Sequence, residues 1–249
     1  MVGLFSRLSE PLCLKDKHMR IWDIHPGYLN CQSLLGEHGE LHAIVSIFIN
    51  NKKGYSRHPE TLRWKGYGWA IQKRHQLLSK EMALRGYREH SPVKLRSNKG
   101  HWPDTYIDEP FIQFDLLKKK YVGKEHGRIS LPETGQQLWS HHKYSVLARD
   151  ASLYKALGRA VSKMSPEQDY SELSKQLTLI LRTRPSSGGI RNSLQHMWGY
   201  MSSAYGGNKG NIQNWSLQKL LKETQKLAMS RQEVYLLSST ALSELEIWM

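Results

Sequence analysis

The sequence predicts a mostly α-helical protein: an N-terminal compact helical domain with basic loops, followed by a C-terminal helical bundle. Three observations carry this. Apolar residues recur every three to four positions through long segments of both halves, residues 91 to 135 are rich in proline and glycine, and the chain is long enough for the core such helices need. With 249 residues, 39% of them hydrophobic and 10% aromatic, it can bury one substantial core or two of roughly 100 residues each.

From Asn30 to Asn50 the apolar positions Leu34, Leu41, Val45 and Phe48, with Leu35 and Ile49 beside them, have the spacing of an amphipathic helix capped by Asn30. Asn50-Asn51-Lys52-Lys53-Gly54 breaks that pattern. Ile71 to Arg85 resumes it through Leu77, Leu78, Met82 and Leu84, and Gly86 closes it. The stretch between these helices reads as a basic, aromatic loop. Pro92, Pro103, Pro110 and Pro132, with Gly100, Gly123, Gly127 and Gly135, mark loops around one short helix near Phe111 to Tyr121. The expected organisation is an extension over 1–18, a first domain over 19–120, a linker over 121–135 and a second domain over 136–249. In the second, helical stripes run through Leu153, Leu157 and Val161, then Leu173, Leu177, Ile180 and Leu181, then Leu194, Met197, Trp198 and Met201. Pro185 to Gly189 and Gly206 to Gly210 read as connectors, and Leu217, Leu220, Leu221, Leu227 and Ala228 mark a last long helix.

Lysine and arginine number 36 against 22 acids, a formal net charge of +14, which favours a polyanionic partner and nucleic acid first. The excess is concentrated: between Lys52 and Lys99 stand thirteen basic residues against Glu60, Glu81 and Glu89, interleaved with Tyr55, Trp64, Tyr67, Trp69 and Tyr87. Cations hold phosphates and aromatic faces stack on unpaired bases, so this composition suits a grip on a distorted strand. Two cysteines, Cys13 and Cys31, are too few for a disulfide framework and read as free thiols in a reducing compartment. The expected location is cytoplasmic and nucleoid-associated. The apolar run from Ala43 to Ile49 is far short of the ~20 residues of a membrane span. Arg7, Glu10 and Pro11 interrupt any signal-peptide core in the first eighteen residues.

Two blocks carry a resemblance. The first is Met19-Arg20-Ile21-Trp22-Asp23-Ile24-His25-Pro26 followed by Leu29-x-x-Gln32-x-Leu34-Leu35-x-Glu37-x-x-Glu40-Leu41. The second runs from Gln72-Lys73-Arg74-His75 to Arg85-Gly86-Tyr87. Together they resemble the pyrimidine-dimer DNA glycosylases of the phage endonuclease V type. That resemblance implies a DNA repair glycosylase with abasic-site lyase activity on duplex DNA containing damaged pyrimidines. It implies that the α-amino group of Met19 is the nucleophile, with Arg20 following it and Glu40 assisting; Glu37, one turn earlier, is the fallback. An α-amine has a reference pKa near 8, so an appreciable fraction is nucleophilic at neutral pH. Gly39 and Ala43 stand where phage members carry arginines. Phosphate gripping is therefore expected from Arg20, Arg57, His58, Arg63, Lys73 and Arg74, and Trp64, Tyr67 or Trp69 are candidates to fill the gap left by an extruded base.

Eighteen residues precede Met19. Three readings stay open: translation starts at Met19, the extension is removed, or the chemistry is lost. The first is favoured, because Arg20 would block removal of an initiating methionine. In the second half, His142-Lys143-Tyr144, Tyr154, and Asn192 to Met197 with Gly199-Tyr200 resemble the YbgA-type helical domain, from which no activity is carried over. His141, His142 and His196 have neither a thiolate pair nor a carboxylate at ligand spacing, so no metal is expected, and no glycine-rich phosphate loop is present, so no cofactor is expected. The non-catalytic alternative is a module that binds distorted DNA or structured RNA.

Overall fold

The computed structural model of the protein describes residues 19–204 and 212–249, and among them every regular element is helical. The extension over 1–18, Cys13 and the connector Gly206 to Gly210 lie outside the described residues. Helix α1 (Cys31–Asn50) starts where expected, with Asn30 Oδ1 accepting the Ser33 N–H at 2.8 Å, which satisfies one of the orphan donors of the first turn. Helix α2 (Pro59–Trp64) falls inside the expected basic loop. Six residues are too few for a periodicity to show, but Pro59 at the first helical position and a cap from His58 Nδ1 to the Glu60 N–H start it. Helices α3 (Gly68–Leu84) and α4 (Pro110–Lys120) follow.

Helices α5 (Gly135–Leu147), α6 (Ala151–Val161), α7 (Ser171–Leu181), α8 (Ser187–Ala204) and α9 (Leu217–Ser230) build the second half. Helix α8 begins at Ser187, so the end of the expected connector is its first turn. Ser186 Oγ caps it through the Gly189 N–H at 3.0 Å. A Cβ on Gly189 would lie 2.0 Å from the Ala148 carbonyl oxygen, so this glycine is a packing residue where the sequence reads as a turn. Two short helices, α10 (Val234–Leu237) and α11 (Ala241–Glu244), and a 3-10 turn over Leu245–Trp248 were not anticipated. Helix α11 and that turn pack against α3, which carries the chain's end back onto the first half.

The stretch expected as a linker is part of the core. One apolar cluster joins Trp22, Ile24, Leu34, Leu78 and Met82 from the first half to Leu138, Val146, Leu157 and Leu173 from the second, with Tyr121, Ile129 and Leu131 between them. The Ile129 N–H donates to the Gly27 carbonyl at 2.9 Å, and a Cβ on Gly127 would sit 2.5 Å from that same carbonyl oxygen. The glycines that make this segment look like a linker are what let its backbone lie against another.

The shared core holds a neutral polar cluster. Tyr28 Oη lies 3.1 Å from His141 Nδ1 and 3.4 Å from His142 Nδ1, and the latter nitrogen is 2.9 Å from the Leu138 carbonyl. Burial pushes His141 down to about 4 and His142 to about 3. A base with a depressed pKa contributes stability that is complete above its unfolded value, near 6.5, and is lost as pH falls from there towards the folded value. At pH 5 each histidine should therefore cost about 2 kcal/mol relative to pH 7. Urea unfolding at the two pH values checks this: H141Q should lose measurably less stability on acidification than the unaltered protein.

Candidate active site

Residues 19 to 25 are not helical and have no sheet to pair with, so their backbone groups are held by side chains from the surrounding helices. The Arg20 N–H donates to Glu40 Oε2 at 2.7 Å, the Ile21 N–H to Glu60 Oε1 at 3.2 Å and the Asp23 N–H to Gln113 Oε1 at 2.8 Å. In the other direction Arg63 donates to the Ile21 carbonyl at 2.9 Å and Arg74 to the Ile24 carbonyl at 2.8 Å. Met19 Sδ accepts from Thr61 Oγ1 at 3.6 Å. Helices α1, α2, α3 and α4 thus fix the path of the segment and bring its first residue to the middle of α1.

Glu40 is half-buried there. Burial raises its pKa, and the Arg20 N–H and the charge of Lys120 pull it partly back. Lys120, at the end of α4, is the neighbour the sequence does not reveal, since no spacing links it to α1; burial lowers its own pKa while Glu40 counteracts. Around Glu40, α1 presents Gly36, Gly39 and Ala43, all exposed, with nothing within 4 Å of where a glycine Cβ would stand. Offsets of three and four put these on one face. The positions that depart from the phage pattern leave the carboxylate at the foot of a smooth, open surface.

The expected phosphate-gripping residues separate into two groups. Arg57 is exposed and His58 half-buried. Arg20 is half-buried, lies 5.0 Å over the Trp22 ring and pairs with Asp108 at 2.5 Å. Arg63 and Arg74 are corrected: both are buried. Arg63 is held by Asp23 at 2.9 Å and by Glu60, and Arg74 makes a two-pronged pair with Glu37 at 2.6 and 2.8 Å. Their cationic heads serve the interior because they balance carboxylates that burial would otherwise penalise. Lys73 is turned to the second half, donating to the Ile247 carbonyl at 3.0 Å and lying 4.9 Å over the Trp248 ring. Glu37, the fallback carboxylate, is fully occupied by Arg74, and burial pushes it up to about 7.

Trp64 is corrected too: it is 1% exposed, with its indole N–H on Glu60 Oε1 at 3.0 Å. Trp69 packs between Trp102 and Trp248, and Tyr67 is half-buried beside the same cluster. In their place the exposed Lys52, Lys53 and Lys65 line an open concavity at the end of α1 with Ser56 and Ser97. Asn51 is eleven residues beyond Glu40, about 16 Å along the helix, which is the span of roughly five base-pair steps. In the second half His142 is buried, Lys143 lies 4.5 Å over the Tyr235 ring and Gln195 bonds Gln213 at 3.2 Å.

No described helix is long and apolar enough to cross a membrane. No curated protein and no solved structure matches the chain. Residues 143–229 match a family described as a protein of unknown function (DUF1722). Residues 19–95, which begin one residue before the Arg20 N–H bound by Glu40 and contain α1, α2 and α3, match the family model of pyrimidine dimer DNA glycosylases. At the level of that family the chain is similar to DNA repair enzymes that act on pyrimidine dimers, joined to a helical partner of uncharacterised function.

Proposed function

We propose that the protein is a DNA glycosylase and abasic-site lyase acting on duplex DNA with damaged pyrimidines, with the α-amine of a chain beginning at Met19 as nucleophile and Glu40 as its partner. The observation that carries this is the Arg20 N–H on Glu40 at 2.7 Å: adjacent main-chain nitrogens are at most about 3.8 Å apart, so an amine on Met19 lies no more than about 6.5 Å from the carboxylate. The amine attacks C1′ and the glycosidic bond breaks, its electron pair leaving with the base, which takes up a proton. The amine nitrogen gives up a proton, O4′ takes one up, and the C1′–O4′ bond breaks to open the sugar ring and leave an iminium at C1′. The iminium loses a C2′ proton, and the C3′–O bond then breaks by β-elimination, the 3′ phosphate leaving with the electron pair. Glu40 stabilises the cationic sugar and takes part in the proton transfers. The open face formed by Gly36, Gly39 and Ala43 admits the strand, and Arg57, His58 and the Lys52–Lys53–Lys65 concavity hold its phosphates; Arg20 orients the terminus.

Borohydride trapping on dimer-containing duplex tests the reading. The chain starting at Met19 should become covalently linked and the chain starting at Met1 should not, with peptide mapping placing the adduct on Met19. An adduct on Lys120 would move the nucleophile to that neighbouring amine. Binding without any adduct from the chain starting at Met19 would leave a binding module and overturn the chemistry. The phosphate grip has its own check: replacing Lys52, Lys53 and Arg57 together by alanine should flatten the dependence of log K on log salt by about 2 to 3, near 0.9 per phosphate contact, whatever the sequence of the duplex.

A further inference from the structure

Half a turn around α1 from Glu40 stands a second polar cluster, built by three segments. His38 and His42 are four residues apart, hence neighbours on one helix face; His75 projects from α3, and Glu89 from the stretch after it. His75 Nε2 lies 3.2 Å from His42 Nε2 and 3.4 Å from Glu89 Oε2, His38 Nε2 contacts the same Glu89 oxygen, and one ligand atom from each of the four falls within 4.8 Å of the others. The rings lie 4.6 to 5.1 Å apart.

Three imidazole Nε2 atoms and one carboxylate oxygen from three segments are turned towards one another. They are well explained as a coordination shell. Four ligands at 2.0–2.1 Å from a tetrahedral centre are about 3.3 Å from one another, which is the separation seen for His75 to His42 and to Glu89.

We propose that His38, His42, His75 and Glu89 form a binding site for one divalent transition-metal ion, with the three-imidazole, one-carboxylate donor set of zinc. Four protein ligands leave no position for a water or a substrate, so the site is structural. It ties α1 to α3 and to the residues following α3, and in doing so fixes the helix that carries Glu40 from the side opposite the reacting groups. The proposal does not depend on the glycosylase reading, and its readouts do not involve DNA.

The test uses the full chain, without a polyhistidine tag, stripped with EDTA and then given zinc chloride. One zinc per chain should survive gel filtration, the thermal midpoint should rise in a way EDTA reverses, and cobalt chloride should produce the visible bands of a four-coordinate ion. H38Q and E89Q, both at partly exposed positions, should keep the helical circular-dichroism spectrum and bind zinc at least about tenfold more weakly. Retention of no zinc by the unaltered chain, or equal retention by the unaltered chain and both folded variants, would overturn the site.

Discussion

Glu40→Gln is expected to lower strand cleavage of dimer-containing duplex by 10²- to 10⁴-fold, the range a positioned acid–base group contributes, while affinity for the uncleaved damaged duplex changes by less than about threefold. The separation follows from geometry. Glu40 faces the backbone nitrogen of Arg20 at 2.7 Å, and glutamine keeps an oxygen able to accept that hydrogen bond, so the path of residues 19 to 25 survives. What disappears is the negative charge beside a developing cation and the site that receives a proton. The pH dependence sharpens the test. Burial raises the Glu40 pKa above its ordinary value of 4.5, so ionisation of the carboxylate, and with it the rate, should rise at a higher pH than for an exposed glutamate. A second rise should follow as the α-amine loses its proton near pH 8. In the variant the first step should vanish and the second remain. Single-turnover cleavage measured from pH 5 to 9, with binding measured by fluorescence anisotropy, reads both. Parallel loss of binding and cleavage would make Glu40 a structural residue.

Much of this arrangement is legible in the sequence, and the reason differs from part to part. Helices that bury one apolar face announce themselves through its period, which is why α1 with its Asn30 cap, and α6, α7 and α9, stand out from spacing alone, whereas α5 does not, because its buried positions include Gly135, His141, His142 and Ser145. Helix α2 and the C-terminal turns do not, because elements of four to six residues are held by tertiary contacts and carry no period. Charge misleads in a systematic way. Arg63, Arg74, Arg85 and Arg128 count towards a basic surface, yet each is paired with a carboxylate distant in sequence or one helical turn away. Only the fold distinguishes an arginine that meets solvent from one that neutralises Asp23 or Glu81. The histidine cluster is the reverse case. His38 and His42 have the four-residue spacing of a ligand pair on one helix, but the other two members come from positions 75 and 89, which no local spacing links to α1.

Glu81→Gln is expected to destabilise the protein by about 3 to 5 kcal/mol, the cost of leaving buried cations without their countercharge, and so to remove a large part of a total that is usually 5–15 kcal/mol. The Glu81 carboxylate is 0% exposed; it receives Arg85 at 2.8 Å, Arg128 at 2.7 Å and Ser243 Oγ at 2.8 Å. Burial alone would push it up, but Arg128 and Arg85 outweigh that and hold it well below the usual range. The sign is therefore that of a depressed acid: its contribution is complete above the unfolded value near 4.5 and is lost as pH falls below it, a window more acidic than the one assigned to His141 and His142. Arg85 also donates to the Leu29 carbonyl at 2.7 Å, and Arg128 to the Ser239 carbonyl at 3.2 Å, so one carboxylate joins α3, the 121–135 stretch and α11. Because those segments belong to both halves and share an apolar core, urea unfolding of the unaltered protein should be a single transition, with tryptophan fluorescence and circular dichroism coinciding. The glutamine variant should shift that transition as a whole to lower urea. Lys80→Gln, which removes a half-exposed pair with Glu246, should move it by less than about 1 kcal/mol. Two separate transitions, with only one displaced by the Glu81 substitution, would show that the halves fold independently and that Glu81 stabilises only one of them.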